Sequence, residues 1–67
     1  MTKKDYIKFA AMLNGQKPVK MDTETTGEFY SRVAMWNHVV HETADIFAEE
    51  NSRFDRQRFL VACGYTD

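Results

Sequence analysis

The chain has 67 residues, 43% apolar and 28% charged, with a formal net charge of −1. That length makes one domain, and the balanced composition is that of a folded chain rather than a disordered one. Such a chain buries only about 60% of the surface its unfolded form exposes, and the walls of a deep pocket of roughly 300 Å³ or more are hard to build from it. The expectation is a protein that is not an enzyme and whose small core needs help.

The single cysteine, Cys63, excludes an intrachain disulfide and a CxxC metal knuckle. One reduced thiol suits a cytoplasmic protein. The longest apolar runs, Phe9 to Leu13 and Phe59 to Cys63, have five residues each. Both are far short of the roughly 18 to 20 residues of a membrane span or the 7 to 15 of a signal-peptide core. The expectation is a soluble, intracellular chain, with no membrane partner and Met1 at its true start. Aromatic residues make up 13% of the chain, against two Leu and two Ile, so rings must supply much of the buried area. Charge is uneven: +4 over residues 1–20, −6 over 21–50 and +1 over 51–67. An acidic middle between basic ends can fold back on them or face a basic partner.

The first helix is expected over residues 3–14. Thr2 and Asp5 have the spacing of a capping box, and Asp5 suits the positive end of the helix dipole. Tyr6, Phe9, Ala10 and Leu13 share a face, with Ile7 at its edge. Asn14-Gly15 reads as the stop, with Gly in the left-handed conformation. Residues 15–24, around Pro18, lack periodicity and read as a linker, from which Val19 and Met21 are expected to tuck under the helices.

The second helix is expected over 26–50, after the capping box Thr25-x-x-Glu28. At 1.5 Å per residue it spans about 37 Å. Phe29, Val33, Trp36, Val40, Ala44 and Phe47 form its main apolar stripe. Met35, Val39 and Ile46 form a narrower one along a flank punctuated by Glu28 and Glu42. The far side, with Ser31, His38, Asp45 and Glu49, is polar.

Asn51-Ser52 breaks that helix. A short third helix follows at about 55–63, with Asp55 as N-cap and Phe54 stapled to Phe59. Ser52 with Asp55 at its third position is the alternative cap. Phe59, Leu60 and Cys63 face inward, Gly64 is the stop, and Tyr65 to Asp67 read as a tail. No segment of five or more residues alternates with period two, so the fold class is all-α: a small helical domain of two main antiparallel helices plus the short C-terminal one. The first and third helices are expected to pack on the Phe29–Phe47 stripe.

Candidate chemistry is sparse. His38, His41, Glu42 and Asp45 lie within about 100° of one another on the helix wheel. The order is not HExxH, because the Glu follows the second His, and a closed zinc site usually draws ligands from two elements. The pattern reads as a solvated polar face, with no metal or other cofactor. Cys63 has no histidine near it in sequence and lies at a helix C-terminus, which does not favour a thiolate; it reads as core. Arg53, Arg56 and Arg58, interleaved with Phe54 and Asp55, make a thin cluster for nucleic acid. Pairing with the acidic long helix is the plainer reading. Trp36 reads as core, with Met35, Val39 and Ile46 left for a second chain.

The segment from Asn51 to Gly64, NSRFDRQRFLVACG, resembles a C-terminal signature of small bacterial and phage-borne proteins, N-P-R-F-D-R-x-R-F-L-x-A-C-G. Ser52 stands where that signature has Pro. The similarity extends weakly upstream through Ala44 to Phe47, Val39-Val40 and Trp36, covering residues 36–64. No common activity comes with it. What the resemblance implies is an accessory protein of a phage or other mobile element.

The expected function is therefore protein binding without catalysis, with a host protein or protein complex as partner. Inhibition of a host defence system such as CRISPR fits, with Glu42, Asp45, Glu49 and Glu50 as an acidic partner-binding face. Met35, Val39 and Ile46 would then serve as an oligomer interface, with a homodimer as the expected assembly. The alternative is a small DNA-binding regulator using Arg53, Arg56 and Arg58.

Overall fold

The computed structural model describes residues 3–65, folded as three helices with no strand among them: α1 (Lys3–Gly15), α2 (Thr26–Glu50) and α3 (Arg56–Ala62). Thr2, and with it the expected first capping box, lies outside the described residues, as do Thr66 and Asp67. The shape is elongated, 42 × 17 × 16 Å, because α2 is long and its neighbours are short.

The caps of α2 and α3 form as local chemistry requires. Thr25 Oγ1 accepts from the Glu28 backbone N–H at 3.1 Å, and Glu28 Oε1 accepts from the Thr25 N–H at 3.1 Å. Both halves of the capping box therefore satisfy amides that the first helical turn leaves orphaned. At α3 the cap is Asp55 rather than Ser52: its Oδ1 accepts from the Arg58 N–H at 3.0 Å. The Phe54 and Phe59 rings meet at 5.5 Å, completing the staple. α3 ends in a Schellman turn. The Tyr65 N–H reaches the Leu60 carbonyl and the Gly64 N–H the Val61 carbonyl, each at 3.0 Å, with Gly64 at φ +86°.

α1 ends differently from expectation. Gly15 is its last helical residue and does not take a left-handed conformation. The Gln16 and Lys17 N–H groups instead reach carbonyls three residues back, Leu13 at 3.1 Å and Asn14 at 3.2 Å. Tightening the last turn satisfies those acceptors without a left-handed residue. The linker also departs from expectation: Val19 and Met21 are exposed. What holds that loop is charge. Arg32 grips Glu24 with two nitrogens, at 2.6 and 2.7 Å, and donates to the Val19 carbonyl at 2.9 Å.

The core consists of Ala10, Leu13, Trp36, Val40, Ala44, Phe47, Phe59, Leu60 and Cys63. Phe47 is its hub. The rings of Tyr6, Phe9, Phe54 and Phe59 stand 4.8, 5.3, 5.5 and 5.4 Å from it, tilted or edge-on, which suits aromatic quadrupoles. Buried Trp36 donates its indole N–H to the Leu13 carbonyl at 2.8 Å, so its one polar atom is satisfied. The expected packing of α1 and α3 on the long stripe holds from Trp36 onward. Phe29 and Val33 are only half-buried. The two longer helices approach α3 more closely than they approach each other, and this α1–α3 side was not expected from the sequence.

Candidate functional site

The acidic face and the histidines of α2 do not converge. His38 pairs with Glu42 at 3.2 Å, one turn along the helix, with both side chains exposed. His41 turns the other way. Its Nδ1 lies 3.0 Å from an Arg56 nitrogen, and a guanidinium can only donate, so the imidazole proton sits on Nε2. The Tyr65 ring packs edge-on to His41 at 4.7 Å, so Tyr65 belongs to the packed structure rather than to a tail. Among the described residues no group of three or more His, Cys, Asp or Glu could hold a metal ion. Glu42 and Asp45 are both engaged, the latter by Arg56 at 2.9 Å; Glu49 and Glu50 are exposed.

The three C-terminal arginines likewise separate. Arg56 is tied to Asp45 and His41, the pairing with the long helix that the charge distribution suggested. Arg53 and Arg58 are exposed, and among the described residues neither has an acid within ion-pair distance.

The flank of α2 is apolar and open. Met35, Val39 and Ile46 are 67%, 43% and 60% exposed. They lie within about 40° of one another on the helix wheel, beside the covered stripe of Trp36, Val40 and Phe47.

Cys63 is fully buried, and burial pushes its thiol up to about 11. At neutral pH it is a protonated core side chain without nucleophilic character. Glu24 behaves oppositely. The hydrogen bonds from Arg32 hold its carboxyl below the ordinary carboxylate range, and Glu24 in turn raises the Arg32 guanidinium.

Two side chains, Lys17 and Asn14, make contacts that the sequence does not foretell. Lys17 donates to the Gly64 carbonyl at 2.6 Å and stands over the Trp36 ring at 5.7 Å. Asn14 donates to the Ala62 carbonyl at 3.3 Å. Together they fasten the end of α1 and the following loop to the end of α3. Neither has a local signature, since each depends on a partner some 47 or 48 residues away.

A half-open groove of about 430 Å³ lies between α1 and the segment from Asn51 to Ala62. It is open on one side and is not the deep, walled pocket that so short a chain was expected to lack. Tyr6, Ile7, Ala10, Phe54, Phe59 and Ala62 make its apolar walls, and Lys3, Arg53, Asp55 and Arg58 stand among them.

No protein-family model, curated protein or solved structure matches the chain, so the functional reading rests on its own surfaces. No helix among the described residues is long and apolar enough to cross a membrane.

Proposed function

We propose that this protein acts by binding another protein, without catalysis of its own, and that the open flank of α2 is a principal contact. The observation that carries the reading is the exposure of Met35, Val39 and Ile46 along one line of α2, beside the covered stripe of Trp36, Val40 and Phe47. Contiguous apolar surface on a small protein marks an interaction site more often than it marks chance. Glu28 and Glu42 punctuate this flank, so a partner seated on it meets carboxylates set among the apolar side chains. On the resemblance of residues 36–64, the partner is a protein of the host of a phage or mobile element, a defence complex such as CRISPR being the leading candidate. The acidic residues Glu42, Asp45, Glu49 and Glu50 then contribute the charged margin. A second copy of the chain competes for the same flank.

The test compares the wild-type chain with Met35→Glu/Ile46→Glu. Both positions are already exposed, so helicity and melting temperature should change little. Light scattering after gel filtration and affinity capture from host lysate should show the wild type with a discrete partner or as a dimer. The double variant should be monomeric and bare. A wild type that is strictly monomeric and captures nothing, or a variant that captures the same protein equally well, refutes the reading. Salt-sensitive binding of duplex DNA that depends on Arg53 and Arg58 would move the assignment to the regulator reading.

A further inference from the structure

We propose that the groove between α1 and α3 is a docking site for an acidic segment of a partner protein, one that carries a large apolar side chain next to its carboxylates. The site uses residues separate from the α2 flank, so it stands whether or not that flank binds anything.

Charge favours an acidic occupant. The chain as a whole is slightly acidic, and it uses its other arginines internally: Arg32 on Glu24 and Arg56 on Asp45. Arg53 and Arg58 are the exceptions. With Lys3 they line one groove, all three exposed, and none has an acid within ion-pair distance among the described residues. Asp55 is the one acid in the lining, and its carboxylate is already occupied in capping α3. Three cations around one depression leave a positive local field in a protein of net charge −1.

The apolar lining favours an occupant with a large apolar side chain. Between the cations the groove is lined by Ile7, Phe54, Phe59 and Ala62, with Ile7 59% exposed. A purely anionic ligand leaves that surface wet, whereas a Leu or Phe side chain covers it. At about 430 Å³ the groove has room for such a side chain.

The open shape of the groove favours a macromolecular partner. A small ligand needs most of its surface enclosed, and a half-open groove between two short helices does not enclose one. A side chain carried on a larger partner is different, because the partner's own surface closes the mouth. Carboxylates on either side of that anchor then meet Arg53, Arg58 and Lys3, where complementary charge raises the rate of encounter and sets the register.

The experiment follows amide shifts of the full chain by NMR while a capped octapeptide, Asp-Glu-Asp-Leu-Phe-Asp-Glu-Asp, is added. The same titration is run with its Lys-substituted counterpart and with sodium dodecanoate. The expected result is saturable movement of the amides of Ile7, Arg53, Phe54, Arg58 and Ala62 with the acidic peptide and none with the basic one. Raising the salt should weaken binding. Arg53→Glu/Arg58→Glu should weaken it by about tenfold or more. Ile7→Glu, at an exposed site on the opposite wall, should do the same. Circular-dichroism melts establish that each variant is folded. Shifts confined to α2, equal binding of the basic peptide, undiminished binding in both variants, or saturable binding of dodecanoate without the peptide would each overturn the proposal.

Discussion

The two halves of α2 carry the same apolar repeat and meet different fates. From Trp36 to Phe47 the stripe is buried beneath α1 and α3, with Val40 and Ala44 fully shielded. From Phe29 to Val33 it continues in register, yet both residues stay half-exposed, and Tyr30 beside them is 64% exposed. The difference lies in what covers the helix. α1 ends where the Trp36 indole meets the Leu13 carbonyl, and the chain beyond it is a loop held by Arg32 and Glu24. One half is secured by ring packing and the other by a capping box and a charged clasp. An amphipathic pattern states which face is available for burial, while the length of the neighbours decides how much of it is used.

The largest test of that contrast is a pair of truncations. Phe47→Ala removes the ring that Tyr6, Phe9, Phe54 and Phe59 surround, and should cost about 3 to 5 kcal/mol. A domain of this size has little more to lose, so the variant should be largely unfolded at 25 °C by circular dichroism. Phe29→Ala, one stripe position in the uncovered half, should cost about 1 kcal/mol or less and leave a cooperative melt. Equal losses at the two positions would erase the distinction between the halves.

Gly64→Ala should have an intermediate effect, about 1 to 2 kcal/mol, read from urea unfolding. The left-handed φ disfavours any side chain, and the added Cβ would meet Asn14 Oδ1 at 3.3 Å. Because Asn14 and Lys17 both bond the end of α3, the loss should include weaker docking of α1. Amide exchange should quicken in α1 as well as in α3.

The smallest effect belongs to the clasp. The depressed Glu24 carboxyl contributes stability that is full above the ordinary carboxylate range and is lost as pH falls through its lowered value. Acidification should therefore lower the exchange protection of residues 26–33, taken relative to the intrinsic rate at each pH, before it affects Trp36 to Phe47. Glu24→Gln should remove that early acid response while leaving the covered half unchanged. An identical acid response in the wild type and the variant would show that the clasp does not hold the uncovered half.

Much of this architecture is legible in the chain because it is encoded locally. The limits of α2 and the start of α3 follow from Thr25, Glu28 and Asp55, whose side chains bond amides three residues away. The same locality explains the one misread boundary. Asn14-Gly15 has the composition of a left-handed stop, but Asn14 is recruited by the Ala62 carbonyl and the turn tightens instead. The separation of the candidate site residues was only partly legible. That Arg56 would pair with the acidic helix follows from charge, whereas nothing nearby in sequence distinguishes it from Arg53 and Arg58.

By itself, then, the sequence determined that the protein is three helices, where α2 and α3 begin, which residues could form a core, and that Met35, Val39 and Ile46 fall on a different flank from that core. These are consequences of hydrogen bonds and side-chain periods that span a few residues. Only the tertiary structure decided which stretch of α2 is covered, which arginines pair with acids among the described residues, and that α1 and α3 flank a basic, half-open groove with aromatic side chains in its lining. Those outcomes depend on the relative lengths of the helices and on contacts between different elements, from Arg56 on Asp45, 11 positions apart, to Asn14 on Ala62, 48 apart, which no local pattern records.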